Sequence, residues 1–183
     1  ARKIVTAKLN NSGFNCIAAQ IIVMPKQWRH AETLKKYINY YLNKIGDTSS
    51  YYPGANKLLS SLQSSDSYSQ VNDSSCETPF LVSDIDDELD FEKNEVWSSV
   101  LYFKEIDHED VDDYVEKAVE YVNKSLWGNL GVSILFKNHN KKRNKKLLNK
   151  YLKNLTYGTI AVNEWAAIGY VIPTMPWGGY PGN

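Results

Sequence analysis

Cys16 closes the run Asn10-Asn-Ser-Gly-Phe-Asn15, a polar, glycine-containing turn that leads straight into an apolar stretch. A thiolate is a strong nucleophile. A turn in front of a strand can present it to backbone N–H groups that lower its pKa from about 8.5 and stabilise an oxyanion. The competing reading is a small buried core cysteine, a common fate of free thiols, and no His, Asp or Glu beside it in sequence decides between the two. The second thiol, Cys76, follows 60 residues later in a Ser/Asp-rich stretch. That spacing makes neither a paired metal motif nor a disulfide framework, and it fits a reducing compartment.

The other polar groups carry less chemistry. Asp84, Asp86, Glu88 and Glu95 occupy the first, third, fifth and twelfth places of a calcium-loop spacing, but Leu89 stands at the sixth, where the turn requires glycine. No metal site is expected there. His30, His108 and His139 lie in polar surroundings without ligand spacing and read as surface residues. The basic run over residues 137–146 reads as the solvated start of a helix.

The elements that must position these groups follow from hydrophobic period. Residues 19–24 form a β-branched apolar run ended by Pro25, as a buried strand does. Trp28, Ala31, Leu34, Tyr37, Ile38, Tyr41, Leu42 and Ile45 then recur at helical spacing until Gly46. Residues 96–103, 131–136 and 158–162 read as further strands. Val111, Tyr114, Val115, Ala118, Val119 and Val122 mark a second helix, and Leu147, Leu148, Tyr151, Leu152 and Leu155 a third. Strands alternating with helices predict an α/β domain with a parallel sheet covered on its faces. Residues 60–75, rich in Ser, Asp, Gln and Asn, read as a loop. Residues 173–182, with repeated Pro and Gly, read as irregular chain able to shape a pocket.

Composition narrows the partners. Twenty-one Lys plus Arg balance 21 Asp plus Glu, so no net field favours a polyanion or an anionic membrane; neither nucleic acid nor membrane is an expected partner. With 43% hydrophobic and 23% charged residues, the chain of 183 residues should fold around a core as one domain. No apolar stretch approaches a bilayer span and no signal-peptide core opens the chain, so a cytoplasmic location is expected. The opening on Ala1 and the stop at Asn183 beyond a Gly/Pro-rich segment suggest a fragment of a longer polypeptide.

Three blocks together resemble one family. Asn11-Ser-Gly-Phe-Asn-Cys16 is similar to the nucleophile loop of the aldehyde dehydrogenase superfamily, usually Asn-x-Gly-Gln-x-Cys, with Phe14 in place of Gln. Glu95-Val-Trp-Ser-Ser-Val100 resembles the family's Glu-x-Phe-Gly-Pro-Val, with Ser98-Ser99 in place of Gly-Pro. Tyr157-Gly-Thr-Ile-Ala-Val-Asn163 followed by Pro176-Trp-Gly-Gly-Tyr180 resembles Gly-x-Val-x-Val-Asn and Pro-Phe-Gly-Gly. The blocks run in family order over nearly the whole chain. Asn-x-Gly-Phe-Asn-Cys, with Tyr51-Tyr-Pro-Gly54 and Leu126-Trp-Gly128, looks like a less-studied bacterial branch.

The resemblance implies a three-layer αβα domain with a mostly parallel sheet, of the aldehyde dehydrogenase catalytic-domain type, over residues 1–183. It implies that Cys16, with Asn11, is catalytic: the thiolate attacks a small aldehyde, hydride passes to NAD or NADP, and the thioester is resolved. Glu95 would bind the cofactor's ribose hydroxyls with Trp97 packed beside them, while Phe14, Trp165 and Trp177 would face the substrate. The general base and the Rossmann-type cofactor domain would lie upstream of Ala1, so the chain alone is expected to fold but bind neither cofactor, and the full-length protein to form a homo-oligomer. Two rival readings are a relative of the same fold whose reaction is lost or altered, and a non-catalytic binding module of that fold.

Overall fold

The computed structural model describes residues 1–84, 92–137 and 142–182. Asp86, Glu88 and Leu89 of the calcium-like spacing, and His139, lie outside the described residues. The chain divides into two compact units, Ala1–Glu105 and Ile106–Asn183.

In the first unit, helix α1 (Arg2–Leu9) leads through a 3-10 turn at Asn10–Gly13 to strand β1 (Ile21–Pro25). Helices α2 (Ala31–Ile45) and α3 (Ala55–Gln63) follow, then strands β2 (Ser69–Gln70), β3 (Leu81–Asp84) and β4 (Val100–Ile106). The sheet order is β1-β4-β3-β2. Strands β3 and β4 are parallel, with Leu81 opposite Val100, and the short β2 runs antiparallel to β3.

Strand β4 explains the layering. Its side chains alternate across the sheet: Leu101 and Phe103 join Val5 of α1 and Ile38 and Leu42 of α2, whereas Val100 and Tyr102 join Leu59 of α3, Leu81 and Val96. Residues 100–103 are all buried, as a strand with both faces covered must be. Helices therefore lie on both faces of this unit's sheet, the α/β/α arrangement expected from sequence.

The second unit holds α4 (Val111–Lys124), β5 (Gly131–Ile134), α5 (Lys142–Asn154), β6 (Thr159–Val162) and the short α6 (Ile168–Val171). Strands β5 and β6 are parallel, in register from Gly131 opposite Thr159 to Ile134 opposite Val162. Asp110 caps α4 by accepting from the Asp113 N–H at 2.9 Å. Val115 and Val119 of α4 pack with Tyr151 of α5 and with Val132, Ile134 and Ile160 of the strands.

Several expectations are corrected. Residues 60–63 complete α3 and residues 69–70 form β2, so the Ser/Gln-rich stretch is only partly loop. In α3, Leu59 is buried and Leu62 packs beside it while Ser60, Ser61 and Gln63 face water. Trp28 precedes α2 in a turn in which Ala31 N–H donates to the Trp28 carbonyl, and both Trp28 and Tyr37 are exposed. The strand expected at 96–103 begins at Val100 and extends to Ile106. Residues 173–182 are irregular, as expected.

Candidate functional site

The Cys16 loop is made by a backbone that most residues resist. Asn11, Ser12 and Gly13 take φ of 53°, 56° and 85°, three successive left-handed residues. Only glycine adopts this conformation freely, and Asn tolerates it better than most. The turn is closed by Phe14 N–H donating to the Asn11 carbonyl at 2.9 Å and by Asn11 Nδ2 donating to the Phe14 carbonyl at 2.8 Å. A Cβ at Gly13 would lie 3.0 Å from the Ser98 carbonyl oxygen and 3.4 Å from that of Lys8. The loop is thereby seated on the segment that leads into β4 and on the end of α1. Asn15 continues the construction: its Oδ1 accepts from Ile17 N–H at 3.0 Å and its Nδ2 donates to Asn10 Oδ1 at 3.0 Å. Cys16 emerges exposed, with Sγ 3.8 Å from Asn15 Oδ1. Cys76 is less exposed.

Sequence alone left a buried core thiol open for Cys16. The structure removes that reading, because the side chain faces outward where a reagent or substrate can reach it. Asn11 serves as the brace of the turn, its amide spent on the Phe14 carbonyl.

Phe14 points the other way, into the unit, and is 6% exposed. Its ring stacks on Tyr52 at a centroid separation of 5.5 Å and an interplanar angle of 16°, with Tyr51 edge-on at 4.7 Å. Tyr52 in turn stacks on Trp97 at 5.6 Å and 16°. The Trp97 indole N–H donates to Glu95 Oε2 at 3.1 Å. Residues 14, 52, 97 and 95 thus form one continuous series, which brings the Cys16 loop and the Glu95-Val-Trp97 block together. Glu95 is exposed, and its carboxylate retains acceptor capacity beyond the indole bond. This fits a group that presents paired hydroxyls, as a ribose does.

Trp165 and Trp177 belong to the second unit, both half-buried, and Trp177 meets Tyr170 edge-on at 5.4 Å. The third sequence block is assembled there by close backbone approach. A Cβ on Gly158 would fall 1.8 Å from the Gly178 carbonyl oxygen, so only glycine fits. Asn163, at φ 59°, closes the strand ends by accepting from Phe136 N–H at 2.8 Å and donating to the Phe136 carbonyl at 3.0 Å.

Two placements escaped the sequence. Tyr51-Tyr-Pro-Gly54 is legible there as a motif, but its position against the Cys16 loop is not. Lys8 lies on the apolar face of α1, one turn from Ile4 and Val5. It is fully buried, and its Nζ has no hydrogen-bond partner among the described residues. Burial pushes its pKa down to about 7 from the ordinary 10.5. The Ser98 hydroxyl is likewise buried without a partner among the described residues, whereas the Ser99 hydroxyl donates to the Pro79 carbonyl at 2.6 Å. His108 is half-buried, with Nδ1 3.3 Å from the Ile106 carbonyl oxygen, and His30 is exposed. Among the described residues no group of three or more His, Cys, Asp and Glu could hold a metal ion, and no helix is long and apolar enough to cross a membrane.

No protein-family model matches the sequence, and no curated protein matches it. Solved structures match the fold. An aldehyde dehydrogenase from Physcomitrella patens, in complex with the reaction product succinate, superposes with a TM-score of 0.71 at 14% identity, covering 97% of this chain and 37% of that enzyme. A mutant aldehyde dehydrogenase from Pseudomonas syringae, complexed with NAD+ and octanal, gives 0.68 at 15% identity over 97% of this chain and 37% of its own. A glyceraldehyde-3-phosphate dehydrogenase from Methanocaldococcus jannaschii, complexed with NADP, gives 0.66 at 15% over 97% and 39%. The fold is that of a portion of the aldehyde dehydrogenases. The chain spans less than two-fifths of the length of each of these enzymes.

Proposed function

We propose that this chain is the nucleophile-bearing portion of an NAD(P)-dependent oxidoreductase that oxidises small aldehydes, with Cys16 as the nucleophile. The observation that carries the reading is the exposed Cys16 on its left-handed turn, joined through Phe14, Tyr52 and Trp97 to the Glu95 carboxylate. The aldehyde dehydrogenase fold supports it, as do the NAD+ and NADP carried by the Pseudomonas and Methanocaldococcus enzymes.

The chain's own residues have definite tasks. Cys16 Sγ, as thiolate, attacks the aldehyde carbon and forms a C–S bond while the carbonyl π pair moves to oxygen, which gives a thiohemiacetal after protonation. Asn11, Gly13 and Asn15 hold the thiol outward, so the geometry is set before substrate arrives. Glu95 would hold such a cofactor by accepting hydrogen bonds from its ribose hydroxyls, and its bond to the indole keeps Trp97 in place as the neighbouring wall. A nicotinamide held there would supply hydride-acceptor chemistry.

The test is NADH or NADPH formation by the full-length protein that carries this chain, with a panel of aliphatic and aromatic aldehydes, for wild type and Cys16→Ser. Turnover that falls by roughly a thousandfold or more in the variant is expected, as for loss of a covalent nucleophile. Equal turnover by the two proteins, or none by wild type with any aldehyde and either cofactor, would overturn the reading.

A further inference from the structure

The balanced total charge hides a separation within the second unit. Seven Asp and Glu fall within residues 107–120 and none within residues 121–163, a stretch that holds nine Lys and Arg. The two runs fold differently. In α4 acids are answered locally: Asp113 pairs with Lys117 and Glu120 with Lys124, each at 2.8 Å, the spacing at which solvated helix faces pair their charges. Helix α5 carries Lys142, Arg143, Lys145, Lys146, Lys150 and Lys153 and no acid in its 13 residues. All six cations are exposed. Only Lys150 forms an ion pair among the described residues, with Glu116 of α4 at 3.2 Å. Lys142, Lys146 and Lys150 follow one another at steps of four, so like charges repel along the helix. Three cations stand within its first four residues, where the helix dipole disfavours them. This arrangement works against the helix, and a polyanion laid along the face relieves it.

We infer that the outward face of α5 binds the phosphate backbone of double-stranded nucleic acid without reading its bases. The expectation of no such partner rested on total charge. At physiological ionic strength exposed charges act over only about 8 Å, so the local face decides. Its chemistry selects among polyanions. A helix that lies in a bilayer surface needs a free apolar face opposite its cations, and in α5 that face is spent: Leu148 and Tyr151 are buried, and Leu147 packs against the unit's core. A single strand is held by bases stacked on aromatic rings, and among the described residues α5 exposes no large apolar or aromatic side chain. The acids of α4, largely paired, offer little to a second copy. Lysine, arginine and asparagine contact duplex phosphates, and exposed Asn149 lies between Lys146 and Lys150. Helix α5 is about 20 Å long and a duplex carries one charge per about 1.7 Å of axis, so several cations can meet phosphates at once.

Fluorescence anisotropy of a labelled DNA duplex of mixed sequence, about 30 base pairs long, titrated with the full-length protein between about 50 and 200 mM salt, tests this. Wild-type affinity should fall with salt at a log–log slope of roughly −4 to −5. The fourfold variant Arg143→Gln, Lys145→Gln, Lys146→Gln, Lys153→Gln should bind about a hundredfold or more weakly at low salt, with a slope shallower by about three to four. Lys145→Arg, Lys146→Arg, Lys153→Arg, which keeps the charge, should match wild type. Should the fourfold variant lose its native circular dichroism, Lys145→Gln with Lys146→Gln alone should make the slope shallower by about two. No binding by wild type at the lowest salt, or equal affinity and slope in folded wild type and glutamine variants, overturns the inference. So does displacement of the duplex by an equal charge of polyglutamate or of phosphatidylserine vesicles, which would assign the face to an acidic polypeptide or to a membrane.

Discussion

Replacing Lys8 by Met should stabilise the chain, and by an amount that depends on pH. Lys8 is fully buried, its Nζ has no partner among the described residues, and its pKa is pushed down to about 7 from 10.5. Between those two values the unfolded chain holds a proton that the folded chain has released. Unfolding takes up that proton, and stability rises as pH climbs from 7 towards 10.5. Below about 7 the full cost of burying the ammonium is present. At 1.36 kcal/mol per pH unit the interval corresponds to roughly 5 kcal/mol, an upper bound because lysine can relax toward water. Methionine keeps the unbranched stem and fills similar volume, so packing with Val5 and Ile4 is preserved. Lys8→Met should therefore gain about 2–4 kcal/mol at pH 7, and the gain should shrink to less than about 1 kcal/mol near pH 10.5. Urea unfolding followed by circular dichroism at pH 7, 8.5 and 10.5 measures both proteins. A variant less stable than wild type at pH 7, or a gain that does not change with pH, would refute the reasoning.

Gly158→Ala should destabilise the second unit by about 3 kcal/mol or more, since its Cβ would meet the Gly178 carbonyl oxygen at 1.8 Å; thermal unfolding within about 1 kcal/mol of wild type would contradict the packing described. Backbone N–H groups of Thr78 first, then Glu77 and Thr48, hold the Asp47 carboxyl below the ordinary carboxylate range. Their stabilisation is present above the ordinary range and is lost as pH falls through the lower, folded value. Asp47→Asn should therefore be less stable at neutral pH yet lose less on acidification, and parallel acid-unfolding curves would count against this. In the full-length protein, Glu95→Gln should weaken cofactor binding roughly ten- to a hundredfold while leaving Cys16 alkylation unchanged; an unaltered Kd removes the ribose role.

The regular elements were largely legible in sequence because both helix stripes and apolar strand runs carry a period. α2, α4, α5, β1, β5 and β6 all lie within a few residues of their expected places. What escaped did so for physical reasons. Strand β3 is four residues long, and its pairing with β4 is a tertiary fact. Helix α1 was masked by Lys8 on its apolar face, a position where hydrophobic pattern reading looks for a hydrocarbon. In the candidate site, the turn before Cys16 was visible from Gly13 and the asparagines, but its outward thiol was not. The series from Phe14 to Tyr52 to Trp97 joins residues 38 and then 45 positions apart, separations no local spacing encodes. Tyr51-Tyr-Pro-Gly54 could be read as a motif, but its place against the Cys16 loop could not.

The central claim, that Cys16 carries the acyl group, is tested most directly by rapid acid quench of the full-length protein during turnover with an aldehyde and NAD or NADP, followed by peptide mass mapping. The account predicts the mass of the aldehyde-derived acyl group on the peptide that contains Cys16, present only when cofactor is added and absent in Cys16→Ser. An acyl group on Cys76, or turnover that proceeds with Cys16 unmodified and replaceable by serine, would contradict it.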